Sequence, residues 1–381
     1  MMKMGKPIRV VHLTTVHHPY DPRIYFKQCM SLHQNGYEVT LIAQQDEQQK
    51  TDDTIIHHIP LKTYKNRWKR MLFGTFDAYR KAKRQKADIY VFHDPELLFV
   101  GKLLKKTNNT VIYDIHEDYV TSILQKTYLP KLLRKLIAKG YTSIEKWCTR
   151  NMEISLAEKY YYDIYQRGTC ILNYPLLNKT NIQHRRNKPL TNKILYTGNV
   201  TVDRGALIHA HIPKIDPAID VQFVGKCSSK LAEEMYEVAE DKNSQVHIKG
   251  IDQFIVKDEI DAMYVQENWL AGIALFPPTA HYMKKELTKF FEYMNAGLPI
   301  ICSNFPIWKN FVETYQCGIA VDPYNEEEIK EALESLRKNP ELAIQMGENG
   351  KKAVQEELNW KAEEKKLIHW YDQLVKGTCE R

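Results

Sequence analysis

No Gly-x-Gly-x-x-Gly follows the first apolar run of this chain. The stretch in that place is TTVHHPYDPRIYFKQ, residues 14–28, which argues against a dinucleotide cofactor site. The seven cysteines (Cys29, Cys148, Cys170, Cys227, Cys302, Cys317, Cys379) are scattered, odd in number and free of C-x-x-C spacing. That pattern speaks against zinc or a disulfide framework and for reduced thiols, as in the cytosol. No apolar stretch approaches the roughly 18 residues a membrane span needs. The start, MMKMGKPIRVVHL, holds a strand-length apolar run and no signal-peptide core, so a cytoplasmic location is expected. There is no glycine- or proline-rich tract and no internal repeat. What remains is globular: 381 residues, 43% hydrophobic, 27% charged, net charge +7 and a pI near 8.8. The length asks for two domains, and the charge suits an acidic partner without choosing among nucleic acid, anionic lipid and phosphorylated substrates.

The first half alternates short β-rich runs with helical segments. Strands are expected at 8–14, 37–43, 54–60, 88–93, 110–116, 152–156 and 169–172, with helices near 22–34, 67–85, 96–105, 130–150 and 158–166. A second such series runs through 194–200, 221–226, 244–250, 270–276, 299–303 and 318–321. Alternation of this kind predicts an α/β fold of doubly wound parallel sheets. Ligands of such sheets bind beyond the carboxyl ends of strands, so the polar residues just after each strand carry the functional argument. They are His17, His18, Asp21 and Arg23 after the first strand, His93 after the fourth, and His116 and Glu117 after the fifth. Asp21 reads as a helix cap with Arg23 in the first turn. Asp94 and Glu96 read as a cap and a first-turn charge. Asp114, late in a strand, is placed to fix a histidine tautomer or to cap backbone.

The most informative stretch is FPPTAHYMKKELTKFFEYMNAGLPIICSNFP, residues 276–306. Leu287, Phe290, Phe291 and Met294 recur at helical spacing, so Glu286–Asn295 is expected to be a helix with one apolar face. Gly297 follows as a cap and Pro299 stops continuation. The unit is strand, loop, helix, strand, whose helix N-terminus attracts anions. Lys284, Lys285 and Lys289 crowd that first turn, where the dipole alone favours carboxylates. A bound phosphate explains the choice. Glu292, on the same side as Lys289, is placed to accept hydrogen bonds from a sugar diol.

The string TKFFEYMNAGLPII, with Ser303, Pro306 and CGIAVDP at 317–323, resembles the donor-binding region of retaining glycosyltransferases with two Rossmann-like domains, most of all glycosyltransferase family 4. The resemblance covers nearly the whole chain. It implies the GT-B fold: two Rossmann-like doubly wound domains facing across a cleft, with a C-terminal helix crossing back to the first domain. By that pattern, residues 1–175 bind acceptor, 176–192 link, 193–358 bind the nucleotide-sugar and 359–381 return. Glu292 binds the donor ribose, while the backbone at Glu286, Leu287 and Thr288 holds the pyrophosphate. LYTGNVTVDRG (195–205) resembles the turn where Gly198 lets backbone approach the diphosphate. Asn199 stands where the family commonly has an arginine, and Arg204 where it has a lysine, so Lys289 is the expected second cation and Lys226 a weaker one. The family's second glutamate, eight residues before the first, is Lys284 here. HHPYDPRI, HDPE and DIHE resemble acceptor-side and sugar-side motifs, which puts His116 under the donor sugar. No divalent metal and no cofactor are implied.

Two segments are basic and amphipathic: 62–86, with Trp68, Leu72, Phe76 and Tyr79 at helical spacing, and 126–147, with Leu132, Leu133, Leu136, Ile137 and Tyr141 on one side. They suit an anionic membrane surface on the inner face of the plasma membrane, or their apolar stripes face the sheet. No nucleic-acid reading module is present. The expected function is retaining transfer from a nucleoside-diphosphate sugar, uridine-linked, to a saccharide or lipid-linked acceptor, with His116, Arg204 and Lys289 catalytic. The alternatives are an epimerase or hydrolase of the same fold and a catalytically idle nucleotide-binding scaffold.

Overall fold

The computed structural model describes residues 6–45, 55–64, 66–124, 130–177 and 189–379. Thr54, Lys65, residues 126–129 of the second basic segment and 178–188 of the expected linker lie outside them. The chain forms two compact units, Met1–Asn173 with Trp360–Arg381, and Tyr174–Asn359.

The first unit is built on seven strands: β1 (Arg9–Leu13), β2 (Glu38–Gln44), β3 (His57–Leu61), β4 (Ile89–Phe92), β5 (Thr110–Ile115), β6 (Glu153–Leu156) and β7 (Thr169–Cys170), ordered β3-β2-β1-β4-β5-β6-β7. All pairs are parallel. Strands covered on both faces need continuous apolar runs, which is why RVVHL, IYVF and TVIYDI are apolar almost throughout. One face receives the helix Pro22–Cys29, its continuation Met30–Gln34 and the terminal helix Trp360–Cys379, through Ile24, Leu32, Trp360, Leu367 and Tyr371. Trp360 Nε1 donates to Ser31 Oγ at 2.9 Å and Tyr37 Oη to Asp372 at 2.6 Å, fixing that last helix. Helices Thr75–Gln85, Leu98–Leu104 and Lys131–Thr149 cover the other face.

The second unit has six parallel strands: β8 (Lys193–Thr197), β9 (Asp220–Cys227), β10 (Val246–Ile251), β11 (Ala271–Ala274), β12 (Ile300–Ser303) and β13 (Gly318–Val321), ordered β10-β9-β8-β11-β12-β13. Each sheet reverses its order at its first strand, between β1 and β4 and between β8 and β11. A crevice opens at the carboxyl ends there. Among the described residues no helix is long and apolar enough to cross a membrane.

The helix expected from Glu286 begins at Thr288 and ends at Asn295. Leu287 is extended (φ −86°, ψ 129°), so the backbone has not yet turned helical there. Lys284 belongs to the preceding short turn, Tyr282–Lys284. Consequently Lys284 and Lys285 are not in the first helical turn; of the three lysines only Lys289 is.

Candidate active site

The switch point of the first unit gathers a histidine cluster around Asp114. This carboxylate, fully buried at the end of β5, receives Arg23 in two bonds, Nη2 to Oδ1 at 2.7 Å and Nε to Oδ2 at 3.1 Å. Ser155 Oγ donates to Oδ1 at 2.6 Å and Gln28 Nε2 to Oδ2 at 2.8 Å. Burial alone would raise its pKa; Arg23, His116 and His93 hold it well below the usual carboxylate range. Arg23, expected to face an acceptor, is therefore committed inward, 3% exposed. Its side chain balances a charge that could not otherwise be buried.

Asp114 also orders the imidazoles. His93 Nδ1 lies 3.1 Å from Asp114 Oδ2 and 3.0 Å from His116 Nε2. His93 Nε2 meets His12 Nδ1 at 3.0 Å. His93 is itself 3% exposed, so it supports His116 from behind and does not face solvent. His116 lies at the rim, its Nε2 3.2 Å from Asp114 Oδ2. Because the carboxylate only accepts, at least one ring nitrogen turns its proton toward Asp114. Burial drives the His116 pKa down to about 3 against the pull of Asp114, so His116 works as a neutral ring.

His17 stacks on His116, ring centroids 5.3 Å apart. Burial lowers its pKa, but Asp21 and Asp94 outweigh that and raise it. Asp21 caps the helix through the amides of Arg23 and Ile24, both at 2.9 Å. Asp94 does not cap the turn that follows it. Its Oδ2 instead binds the Thr14 hydroxyl (3.0 Å) and the Thr15 amide (2.5 Å), pinning the loop after β1. Glu96 pairs with Arg70, Nε to Oε1 at 3.1 Å. His18 and Glu117 are exposed. His93, Asp114 and His116 are the one set among the described residues whose donor atoms, within 4.8 Å of one another, could hold a metal ion. Arg23, bound twice to the same carboxylate, already supplies the positive charge there.

The second unit gathers its own cluster at the ends of β8 and β11. Gly198, φ +91°, turns the chain, and a Cβ on it would sit 3.4 Å from Lys289 Nζ. Gly205, φ +76°, admits no side chain, since a Cβ would come within 1.9 Å of the Leu275 carbonyl oxygen. Lys289, 8% exposed, donates to the Thr197 carbonyl and lies 4.4 Å over the Tyr196 ring. Arg204 Nε donates to Tyr282 Oη at 3.1 Å, and that hydroxyl donates to Asp203 at 3.1 Å. Burial lowers the Lys289 pKa to about 8; Glu292 opposes the shift and Arg204 adds to it. Two cations thus sit close enough to feel each other. The N-cap residue of the helix Thr288–Asn295 is Leu287, whose side chain makes no capping bond. Glu292, one turn inside, accepts from Tyr264 Oη at 3.2 Å, and Tyr264 Oη lies 2.8 Å from Thr197 Oγ1. Glu286 is half-buried, Leu287 buried and Thr288 exposed. Asn199 and Lys226 are exposed beside a hollow of about 410 Å³ that also touches Thr201 and Lys230. Another hollow of about 330 Å³, lined by Leu190, Gly297 and Ile344, touches none of these residues.

Family models match both units: "Glycosyltransferase Family 4" over residues 23–157 and "Glycosyl transferases group 1" over 207–353. The chain is a glycosyltransferase of the GT-B fold. Among solved structures, sucrose-phosphate synthase from Thermosynechococcus elongatus is 18% identical with a TM-score of 0.72, covering 97% of this chain and 100% of that one. WaaG, a glycosyltransferase involved in lipopolysaccharide biosynthesis, is 16% identical with a TM-score of 0.63, over 94% and 98%. HepE from Anabaena, solved with UDP and glucose, is 10% identical with a TM-score of 0.68, over 96% and 99%. No curated protein sequence matches.

Each of the two clusters holds residues that the sequence alone does not single out. His12 had a signal, a polar residue inside an apolar strand, and it ends the chain of rings behind His93. Tyr264, Tyr196 and Tyr282 had none, because their pattern fits ordinary core. His209 is fully buried and accepts the Leu275 amide at 2.9 Å, with its pKa lowered by burial to about 3. It holds the end of β11 beside the Gly205 turn.

Proposed function

We propose that this glycosyltransferase transfers a sugar from a nucleoside-diphosphate sugar, a uridine-diphosphate sugar, to a saccharide or lipid-linked saccharide acceptor. The transfer retains anomeric configuration and serves bacterial cell-surface polysaccharide synthesis at the cytoplasmic face of a membrane. The observation that carries the donor class is two cations beside the Gly198 turn, Lys289 4.4 Å over the Tyr196 ring in the first turn of helix Thr288–Asn295 and Arg204 bound to Tyr282 Oη. Two like charges repel in the empty site, and a diphosphate between them reverses the sign. That HepE was solved with UDP and with UDP-glucose supports the same class.

In this reading Glu292 holds the ribose diol, the backbone from Glu286 to Thr288 holds the diphosphate, and Asn199 and Lys226 border it. As the bond between the anomeric carbon and the β-phosphate oxygen breaks, its electron pair stays on that oxygen, where Lys289 and Arg204 stabilise it without a metal ion. The acceptor hydroxyl oxygen bonds the anomeric carbon from the same face and passes its proton to a β-phosphate oxygen. Neutral His116 hydrogen-bonds the sugar, and His17, His18 and Glu117 lie on the acceptor side. The test is a screen of UDP-sugars with and without lipid-linked acceptors, reading UDP release and the product's anomeric configuration by NMR. Acceptor-dependent release with retained configuration is expected. Equal release without acceptor would replace transfer by hydrolysis, and an inverted product would end the retention claim.

A further inference from the structure

Three helices lie side by side over one face of the first unit's sheet: Thr75–Gln85 with its lead-in Arg67–Lys69 and Arg70–Gly74, then Leu98–Leu104, then Lys131–Thr149. The first meets the sheet through Ala78 and Ala82, small residues that leave its larger ones outside. Trp68, Leu72, Phe76, Leu103, Leu132 and Leu136 are each 62–77% exposed. The face is continuous between the last two helices, where the Phe99 and Trp147 rings lie 6.4 Å apart and Lys102 Nζ sits 3.9 Å over Trp147. An aqueous surface does not retain so many large apolar side chains without a reason.

The charge on these helices is one-sided. They carry thirteen lysines and arginines and two acids, Asp77 and Glu145. Asp77 pairs with Lys81 at 2.6 Å and Arg80 at 3.3 Å. Glu145 is 3% exposed and accepts inward from Tyr141 at 2.7 Å and Tyr165 at 3.1 Å. Outwardly the charge of the face is cationic, since the one acid is tied up with Lys81 and Arg80 and the other is buried.

We infer that this three-helix face docks on an anionic lipid bilayer, with its leucines and aromatic rings at the acyl boundary and its cations among the headgroups. A nucleic acid satisfies the charges but offers no place for Leu132, Leu136 and Leu72. A bilayer surface offers both within one layer. The docking gives substance to, and for its purpose rests on, the membrane location proposed above; the binding itself is independent of the transfer chemistry.

The test is co-sedimentation of the full chain with vesicles of phosphatidylcholine alone or mixed with phosphatidylglycerol, at low and high salt. Binding to the mixed vesicles, weakened by salt, is expected. Lys135→Glu should lower the partition coefficient at least about fivefold. Leu132→Ser with Leu136→Ser should lower it about tenfold or more. Both variants touch exposed residues, so their melting temperatures and their thermal shift with UDP should match the parent chain. No binding to mixed vesicles, equal binding to both kinds, or variants that bind as the parent does would overturn the inference. Vesicle binding intact with no response to UDP would count against the donor reading alone.

Discussion

Lys289 offers a prediction of unusual sign. Burial, assisted by Arg204 and opposed by Glu292, takes its pKa from 10.5 to about 8. That shift disfavours the charged lysine in the folded, empty protein by about 3 kcal/mol. A lysine with a depressed folded pKa adds its full stability above pH 10.5 and loses it as pH falls through about 8, so at neutral pH the whole penalty applies. Lys289→Met removes the penalty. It also leaves the Thr197 carbonyl without its donor and the Tyr196 ring without its cation, costing about 1–3 kcal/mol and about 1–2 kcal/mol. These nearly cancel. The variant should therefore melt close to the wild type, whereas most buried substitutions destabilise. Nucleotide affinity should respond very differently. Losing a buried charge partner of the diphosphate should weaken UDP by at least about thirtyfold. Because bound phosphate restores the lysine's proton, UDP binding to wild type should take up nearly one proton near pH 9 (about one unit above the empty-site pKa). Calorimetric titration in buffers of different ionisation enthalpy measures that uptake, and thermal melts measure the stability. A Lys289→Met protein that loses more than about 4 kcal/mol yet binds UDP as before would refute the reasoning.

Other expectations follow from the same geometry. Arg23→Met strands the buried Asp114 and should cost about 3–5 kcal/mol in denaturant unfolding of the first unit; a loss below about 1 kcal/mol would show the pair to be incidental. Gly205→Ala meets both a positive φ and the Leu275 carbonyl, so it should destabilise by at least about 1–3 kcal/mol, read as a lower melting temperature. His116 has a depressed folded pKa, about 3 against 6.5. Its contribution is present above pH 6.5 and lost as pH falls toward 3, so His116→Asn should flatten the acid limb of stability in that window, and an unchanged limb would contradict the assignment.

Much of this was legible because parallel sheets write themselves as apolar runs. IYVF and TVIYDI locate β4 and β5, and the residues after them, His93 and His116, then fall at the switch point. What stayed hidden is long-range. Arg23 and Asp114 lie 91 residues apart, and nothing local says that one neutralises the other. The sequence DPE reads as a cap, yet Asp94 is drawn to Thr14 and Thr15 across the sheet. Period alone marks Trp68, Leu72 and Phe76 as one face but cannot say which way it points; Ala78 and Ala82 take the sheet instead. Lys289 was readable as a cation in the first turn of a helix, but its burial, and so its lowered pKa, needs the Tyr196 ring and the Thr197 carbonyl around it.

The most direct measurement is the thermal shift produced by UDP on wild type and on Glu292→Ala. At a hundredfold excess over the dissociation constant UDP should add about 2.7 kcal/mol to wild type, and Glu292→Ala at the same UDP concentration should lose most of it. A wild-type protein that UDP does not stabilise, or a variant that it stabilises equally, would contradict a nucleotide-sugar donor held at Lys289 and Glu292.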